Sequence, residues 1–124
     1  MIQAVHTPHA PEAAGPYSQA IIAAPFVFCS GQIGIDPSTG GLAEGVENQT
    51  RQALANLKAV LECAGFSPGA VVKTTIFLKR MEDFSAVNTI YGDFFGRHRP
   101  ARSTVEVSNL PGGALVEIEC TAAL

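Results

Sequence analysis

Arg102 lies in PARSTVEV, residues 100–107, whose alternation reads as a short strand with an arginine at its mouth. A guanidinium is a planar fork that can grip a carboxylate with two parallel hydrogen bonds. Thr104, two residues on, shares its strand face and adds a hydroxyl. Glu117, in ALVEIECTAA, offers a carboxylate that could orient a water as a base. It could equally be the ion-pair partner of the arginine. Two readings of Arg102 therefore stand side by side: a clamp for a small carboxylate, or a sheet-face arginine balanced by Glu106, Glu117 or Glu119.

Other candidates are weaker on their own. Tyr17, in GPYSQA, reads as a loop aromatic over a sheet edge or as a lid whose hydroxyl covers a ligand. Ser30 and Gly31, in CSGQ, could simply end a strand, and Asn88 lies one position off a helix's apolar stripe. A serine nucleophile has no G-x-S-x-G elbow, and His6, His9 and His98 fall near no obvious aspartate. P-loop, GxGxxG, HExxH and CxxC patterns are missing, so metal and nucleotide chemistry have no foothold. Cys29, Cys63 and Cys120 sit in apolar runs and read as buried reduced thiols.

Elements that would position these residues follow from the hydrophobic pattern. Residues 2–5, SQAIIAA and FVFCSGQIGI read as strands, the last ended by the turn DPSTG. Val46, Ala53, Leu54, Leu57, Val60, Leu61 and Ala64 then make one helical stripe, stopped by Gly65. AVVKTTIFLKR is a β-branched strand, and Asp83 is placed to cap a second helix with Phe84, Val87, Tyr91 and Phe94 inward. RSTVEV and ALVEIECTAA close the chain as strands. The order β-β-β-α-β-α-β-β predicts one α+β domain over residues 1–124, with both helices on one face of the sheet. Val72, Thr74, Ile76 and Leu78, with Val105, Val107, Val116, Ile118 and Cys120, are expected to face the helices. Lys73, Thr75, Arg102, Thr104, Glu106, Glu117 and Glu119 are expected on the uncovered face.

Composition bounds the partners. The 124 residues are 47% hydrophobic but only 15% charged, against about 25% for an average soluble domain, and mean hydropathy is +0.21. Such a chain is expected to hide surface in an oligomer, and a half-polar sheet face without helices is where a second subunit would sit. A net charge of −3 with no basic run disfavours nucleic acid. No stretch approaches a membrane span, and the first residues lack the pattern of a signal peptide, so a cytoplasmic setting is expected.

Taken together, four blocks resemble the RidA/YjgF family of reactive-intermediate (enamine/imine) deaminases. They are APEAAGPYSQA, CSGQIGIDPSTG, VVKTTIFLKRMEDFSAVNTIYGDFF and RPARSTVEVSNLPGGALVEIECTA. The resemblance spans nearly the whole chain. It implies a chorismate-mutase-like subunit with a mixed sheet backed by two helices, assembled as a homotrimer with clefts between subunits. It also implies hydrolysis of 2-enamines and 2-imines to 2-oxo acids and ammonia, without metal or cofactor. By the same resemblance Arg102 holds the substrate carboxylate, Glu117 positions the attacking water and Tyr17 borders the cleft, while Ser30, Gly31 and Asn88 line it. Many deaminases of the family carry cysteine where this chain has Thr104. Two rival functions remain at this level: a trimer that binds small carboxylates or acts as a chaperone without turnover, and a ribonuclease or translation inhibitor.

Overall fold

Apolar residues at helical spacing become α1 (Gly45–Cys63), which buries Ala53, Leu54, Leu57, Val60 and Leu61 along one stripe. The computed structural model describes all residues from 1 to 124. Gly65 follows α1 with φ 86°, a left-handed conformation that costs glycine nothing, and the Phe66 amide turns back to the Leu61 carbonyl at 2.9 Å. The second helix, α2 (Phe84–Phe95), buries Val87 and Tyr91. Asp83 occupies the N-cap position but makes no side-chain cap. A 3-10 turn over Met81–Asp83 leads into the helix, and the Glu106 carboxylate accepts the Met81 amide at 2.7 Å.

Six strands form a single mixed sheet: β1 (Gln3–Val5), β2 (Ala20–Ala23), β3 (Phe26–Gln32), β4 (Val71–Leu78), β5 (Ala101–Glu106) and β6 (Val116–Ala123). Their spatial order is β1-β2-β3-β6-β4-β5. The last strand in sequence thus fills the centre, antiparallel to both β3 and β4. Strands β4 and β5 run parallel, joined through α2, and β5 is an edge. Both helices pack on one face, where Leu54, Leu57, Val60, Val87 and Tyr91 meet Val27, Ile76, Leu78, Val116, Ile118 and Ala122 in one core. On the uncovered face Phe26 and Phe28 remain 42% and 48% exposed, beside Lys73, Thr75, Phe77, Glu117 and Glu119.

Alternation places most side chains on the expected faces, with two corrections. Val72 is exposed and Val71 takes its place in the core, because a register shift between Val71 and Lys73 inserts one residue into β4. Strand β5 is inverted relative to expectation. Arg102 pairs beside Thr74, Thr104 beside Ile76 and Glu106 beside Leu78, so these three stand on the helix side. Ser103 and Val105 face away from the helices, Val105 41% exposed. The physical reason is that an edge strand is not walled in by aliphatic core. The ring faces of α2 receive the guanidinium where a valine row was expected. Among the cysteines, Cys29 and Cys120 are buried opposite each other, but Cys63 is exposed.

Candidate active site

Two polar clusters emerge, one on each side of the sheet. The first is built on β5 and α2. The Arg102 guanidinium carbon lies 4.9 Å from the Tyr91 ring centroid and 5.5 Å from that of Phe84, a cation–π arrangement that fixes the plane of the fork. Its Nη1 donates to Asn88 Oδ1 at 2.8 Å. Tyr91 is itself anchored by a 2.7 Å hydroxyl contact with Thr74, and burial pushes its phenol pKa up. No carboxylate lies within 4.0 Å of Arg102, since the ion pairs of the chain are His6–Glu12 and Arg80–Glu82. The pairing of Arg102 with Glu106, Glu117 or Glu119 is therefore not formed. Thr104, on the same face, has a buried hydroxyl oxygen without a hydrogen-bond partner.

The second cluster surrounds Glu117. This side chain projects from the central strand on the uncovered face, opposite Phe77 of β4. Gly31 makes room for it: a Cβ there would stand 2.7 Å from Glu117 Oε2. Tyr17, Gly31, Gln32, Ile33, Pro111 and Glu117 help line a cavity of about 270 Å³. Glu117 is half-buried with no cation beside it. Burial first, and the neighbouring Glu119 charge second, push its pKa above the ordinary glutamate value.

Buried polar side chains that spacing did not single out hold this second cluster in shape. Gln19 Oε1 accepts the Thr7 amide at 2.7 Å, and its Nε2 donates to the Pro11 carbonyl at 2.8 Å, pinning the Pro-rich segment that precedes Tyr17. The Ala14 amide donates to the Tyr17 hydroxyl at 3.2 Å. Ser30 donates its hydroxyl to the Ser18 carbonyl at 2.6 Å, so it ties that segment to β3. From α1, Gln49 accepts the Leu115 amide at 2.8 Å just before β6, and Asn56 donates to the Ile35 carbonyl at 2.9 Å. Gly34 permits this packing, because a Cβ there would lie 2.5 Å from the Gln49 Cα. For Gln49 and Asn56 the only sequence signal is a polar side chain inside the apolar stripe of α1, and for Gln19 a polar side chain at the head of an apolar run.

Arg102, Asn88 and Thr104 are thus brought to one face, and Tyr17, Ser30, Gly31 and Glu117 are associated with the other. Residues 7–124 match the family model described as Endoribonuclease L-PSP. The chain belongs to this family. It is the RidA/YjgF family of the sequence resemblance. A RutC family protein of Pyrococcus horikoshii is 50% identical over 123 residues, covering 98% of each chain. The 2-iminobutanoate/2-iminopropanoate deaminase of Salmonella typhimurium is 47% identical over 125 residues, again covering 98% of both. Among solved structures, Escherichia coli TdcF with bound serine superposes with a TM-score of 0.95 at 39% identity, over 98% of each chain. The α+β architecture is that of the RidA/YjgF family. No helix is long and apolar enough to cross a membrane.

Proposed function

We propose that the protein hydrolyses 2-imino and 2-enamino acids to 2-oxo acids and ammonia, in clefts formed between copies of the chain in a homotrimer. One observation carries this reading. Arg102 and Glu117 stand on opposite faces of the same sheet, each without an ionic partner, so one subunit alone cannot place both against one small molecule. Arg102 lies on the edge strand, and Glu117 lies on a face that exposes Phe26, Phe28 and Val105. Apposing copies through that face would bury the rings and bring the arginine of one subunit to the glutamate of the next. The 47% identity to a named 2-iminobutanoate/2-iminopropanoate deaminase supports the reaction, and serine bound to TdcF supports a small amino-acid-like ligand. A cytoplasmic setting, where dehydratases form such imines, goes with this reading.

The chemistry follows from the groups. Arg102 fixes the carboxylate, which sets the adjacent C=N carbon in one orientation before water arrives. Asn88 and the rings of Tyr91 and Phe84 keep the fork from swinging. Glu117, made more basic by burial, accepts a proton from the water as its oxygen bonds to C2. Glu117 passes that proton to the nitrogen, which takes the electron pair of the C=N π bond, giving a carbinolamine. Glu117 then removes the carbinolamine hydroxyl proton as the C2=O bond forms and delivers it to the nitrogen, which leaves with the C–N pair as ammonia. Thr104 and Ser30 complete the lining, and Tyr17 borders the entrance. Imines hydrolyse in water unaided, so positioning supplies much of what is needed.

The test couples threonine dehydratase to this protein and follows the lifetime of the imine. Faster decay with first-order dependence on protein supports hydrolysis; an unchanged lifetime overturns it in favour of a binding trimer. Light scattering should give about three times 13.0 kDa, and a monomer would remove the shared cleft. A ribonuclease, the activity named in the family description, would need a cationic track that a chain of net charge −3 does not supply.

A further inference from the structure

The cavity beside Arg102 contains more positive charge than a single carboxylate needs. It measures about 410 Å³ and is lined by Asn88, Tyr91, Gly92, Arg99, Pro100 and Arg102, with no acid among them. Neither arginine has a carboxylate within 4.0 Å. Arg99 is held rather than free: its Nη1 donates to the Gly96 and His98 carbonyls at the end of α2. Its Nη2 and Nε make no bond, just as Arg102 uses only Nη1, on Asn88. Gly92 leaves the floor of the cavity open, for a Cβ there would meet nothing within 4 Å. In mid-helix such a glycine is less favourable than alanine, and no close packing in the subunit accounts for it.

We propose that Arg99 and Arg102 form a double cationic seat, and that this cleft takes imino acids bearing a second carboxylate, the imines of aspartate- and glutamate-type amino acids. Arg102 would hold the carboxylate beside the reacting carbon, and Arg99 the distal one. Within one subunit neither guanidinium has a counter-ion; the glutamate of the next copy would approach the Arg102 end, which leaves Arg99 to be met by a second anionic group. A substrate with an aliphatic tail would satisfy only one of them. For the reaction this inference rests on the imine-hydrolysis reading; for the anion it rests on the two guanidiniums alone.

Amino-acid oxidases acting on alanine and on aspartate generate the two imines in place, and semicarbazide trapping reports how fast each disappears. The expected kcat/KM for the dicarboxylic imine is about tenfold above that for the monocarboxylic one, the factor equivalent to ~1.4 kcal/mol. Arg99→Gln keeps a donor for the α2 carbonyls but removes the charge, and should collapse that ratio. Arg99→Lys should retain part of it. Thermal melting of each variant verifies folding. Calorimetry with 2-oxoglutarate, 2-oxobutanoate and inorganic phosphate supplies a readout without turnover. Tighter 2-oxoglutarate binding that Arg99→Gln weakens supports the seat even if neither imine is hydrolysed, in which case only the reaction reading fails. Hydrolysis of both imines at equal rates, a ratio unchanged in Arg99→Gln, or phosphate binding tighter than 2-oxoglutarate would overturn the proposal.

Discussion

Gly31→Ala isolates the position of the Glu117 carboxylate from its chemistry. The new Cβ would fall 2.7 Å from Oε2, 2.9 Å from Cδ and 3.0 Å from Cγ, whereas ordinary contact begins near 3.4 Å. The carboxylate must therefore retreat by about 0.7 Å, a movement available to a flexible side chain with no other bond holding it. The fold should tolerate the change. Gly31 is not in a positive-φ conformation, so alanine gains ~0.4–1 kcal/mol through the unfolded chain. Pushing Glu117 from its rotamer costs about 0.5–1.5 kcal/mol, and the two nearly cancel. The melting temperature should consequently stay within about 4 °C of the parent. Turnover should not, because a misplacement approaching 1 Å at a reacting group can cost on the order of 10²-fold. For a substrate as reactive as an imine the expected fall in kcat is about 10- to 100-fold, read in the coupled dehydratase assay with the native mass checked in parallel. Parental kcat in folded Gly31→Ala would show that the carboxylate need not stand where it does, and would remove Glu117 from the mechanism.

Arg102→Lys keeps the charge but loses the fork, the stacking on Tyr91 and Phe84 and the Asn88 contact; kcat/KM for 2-iminobutanoate should drop at least about tenfold, given ~2–5 kcal/mol for breaking a desolvated charge pair. Unchanged kinetics would exclude the clamp. Glu117→Gln should lower kcat substantially while 2-oxobutanoate binding persists. Since burial and Glu119 raise the Glu117 pKa, the parent's kcat should decline as pH falls through a value above ordinary glutamate, ~4.3, and Glu119→Gln should move that limb lower. A raised carboxylate pKa costs stability above the folded value and nothing below the unfolded one. Glu117→Gln should accordingly melt higher than the parent at neutral pH, with the gap closing in acid. Thr104→Val removes a buried hydroxyl that has no partner and should raise stability by roughly 1 kcal/mol, seen in urea unfolding; a loss would mean the hydroxyl is bonded in the assembled protein.

Periodicity was enough to locate the helices, the β4 and β6 strands and the helix-facing row Val116, Ile118 and Cys120. Burial of one face imposes a local rule that the chain itself records: period 3.6 for α1, period two for β6. The motif blocks likewise marked Arg102, Glu117, Tyr17, Ser30, Gly31, Asn88 and Thr104 as a set. Their arrangement was not a local property. Whether Arg102 faces helix or open sheet depends on which neighbour strand β5 takes and in what register, and its pairing with β4 closes across the whole length of α2. One residue of slip inverts every side chain on a strand, and an edge strand with only Val105 and Val107 as apolar markers does not specify that choice alone. The same holds for Val72, displaced by a bulge that alternation cannot foresee. It holds as well for Gln19, Gln49 and Asn56, whose backbone partners lie 6 to 66 residues away. Sequence determined which groups could do the chemistry; tertiary packing decided that the arginine and the glutamate stand back to back, because opposite faces of one sheet cannot share a ligand.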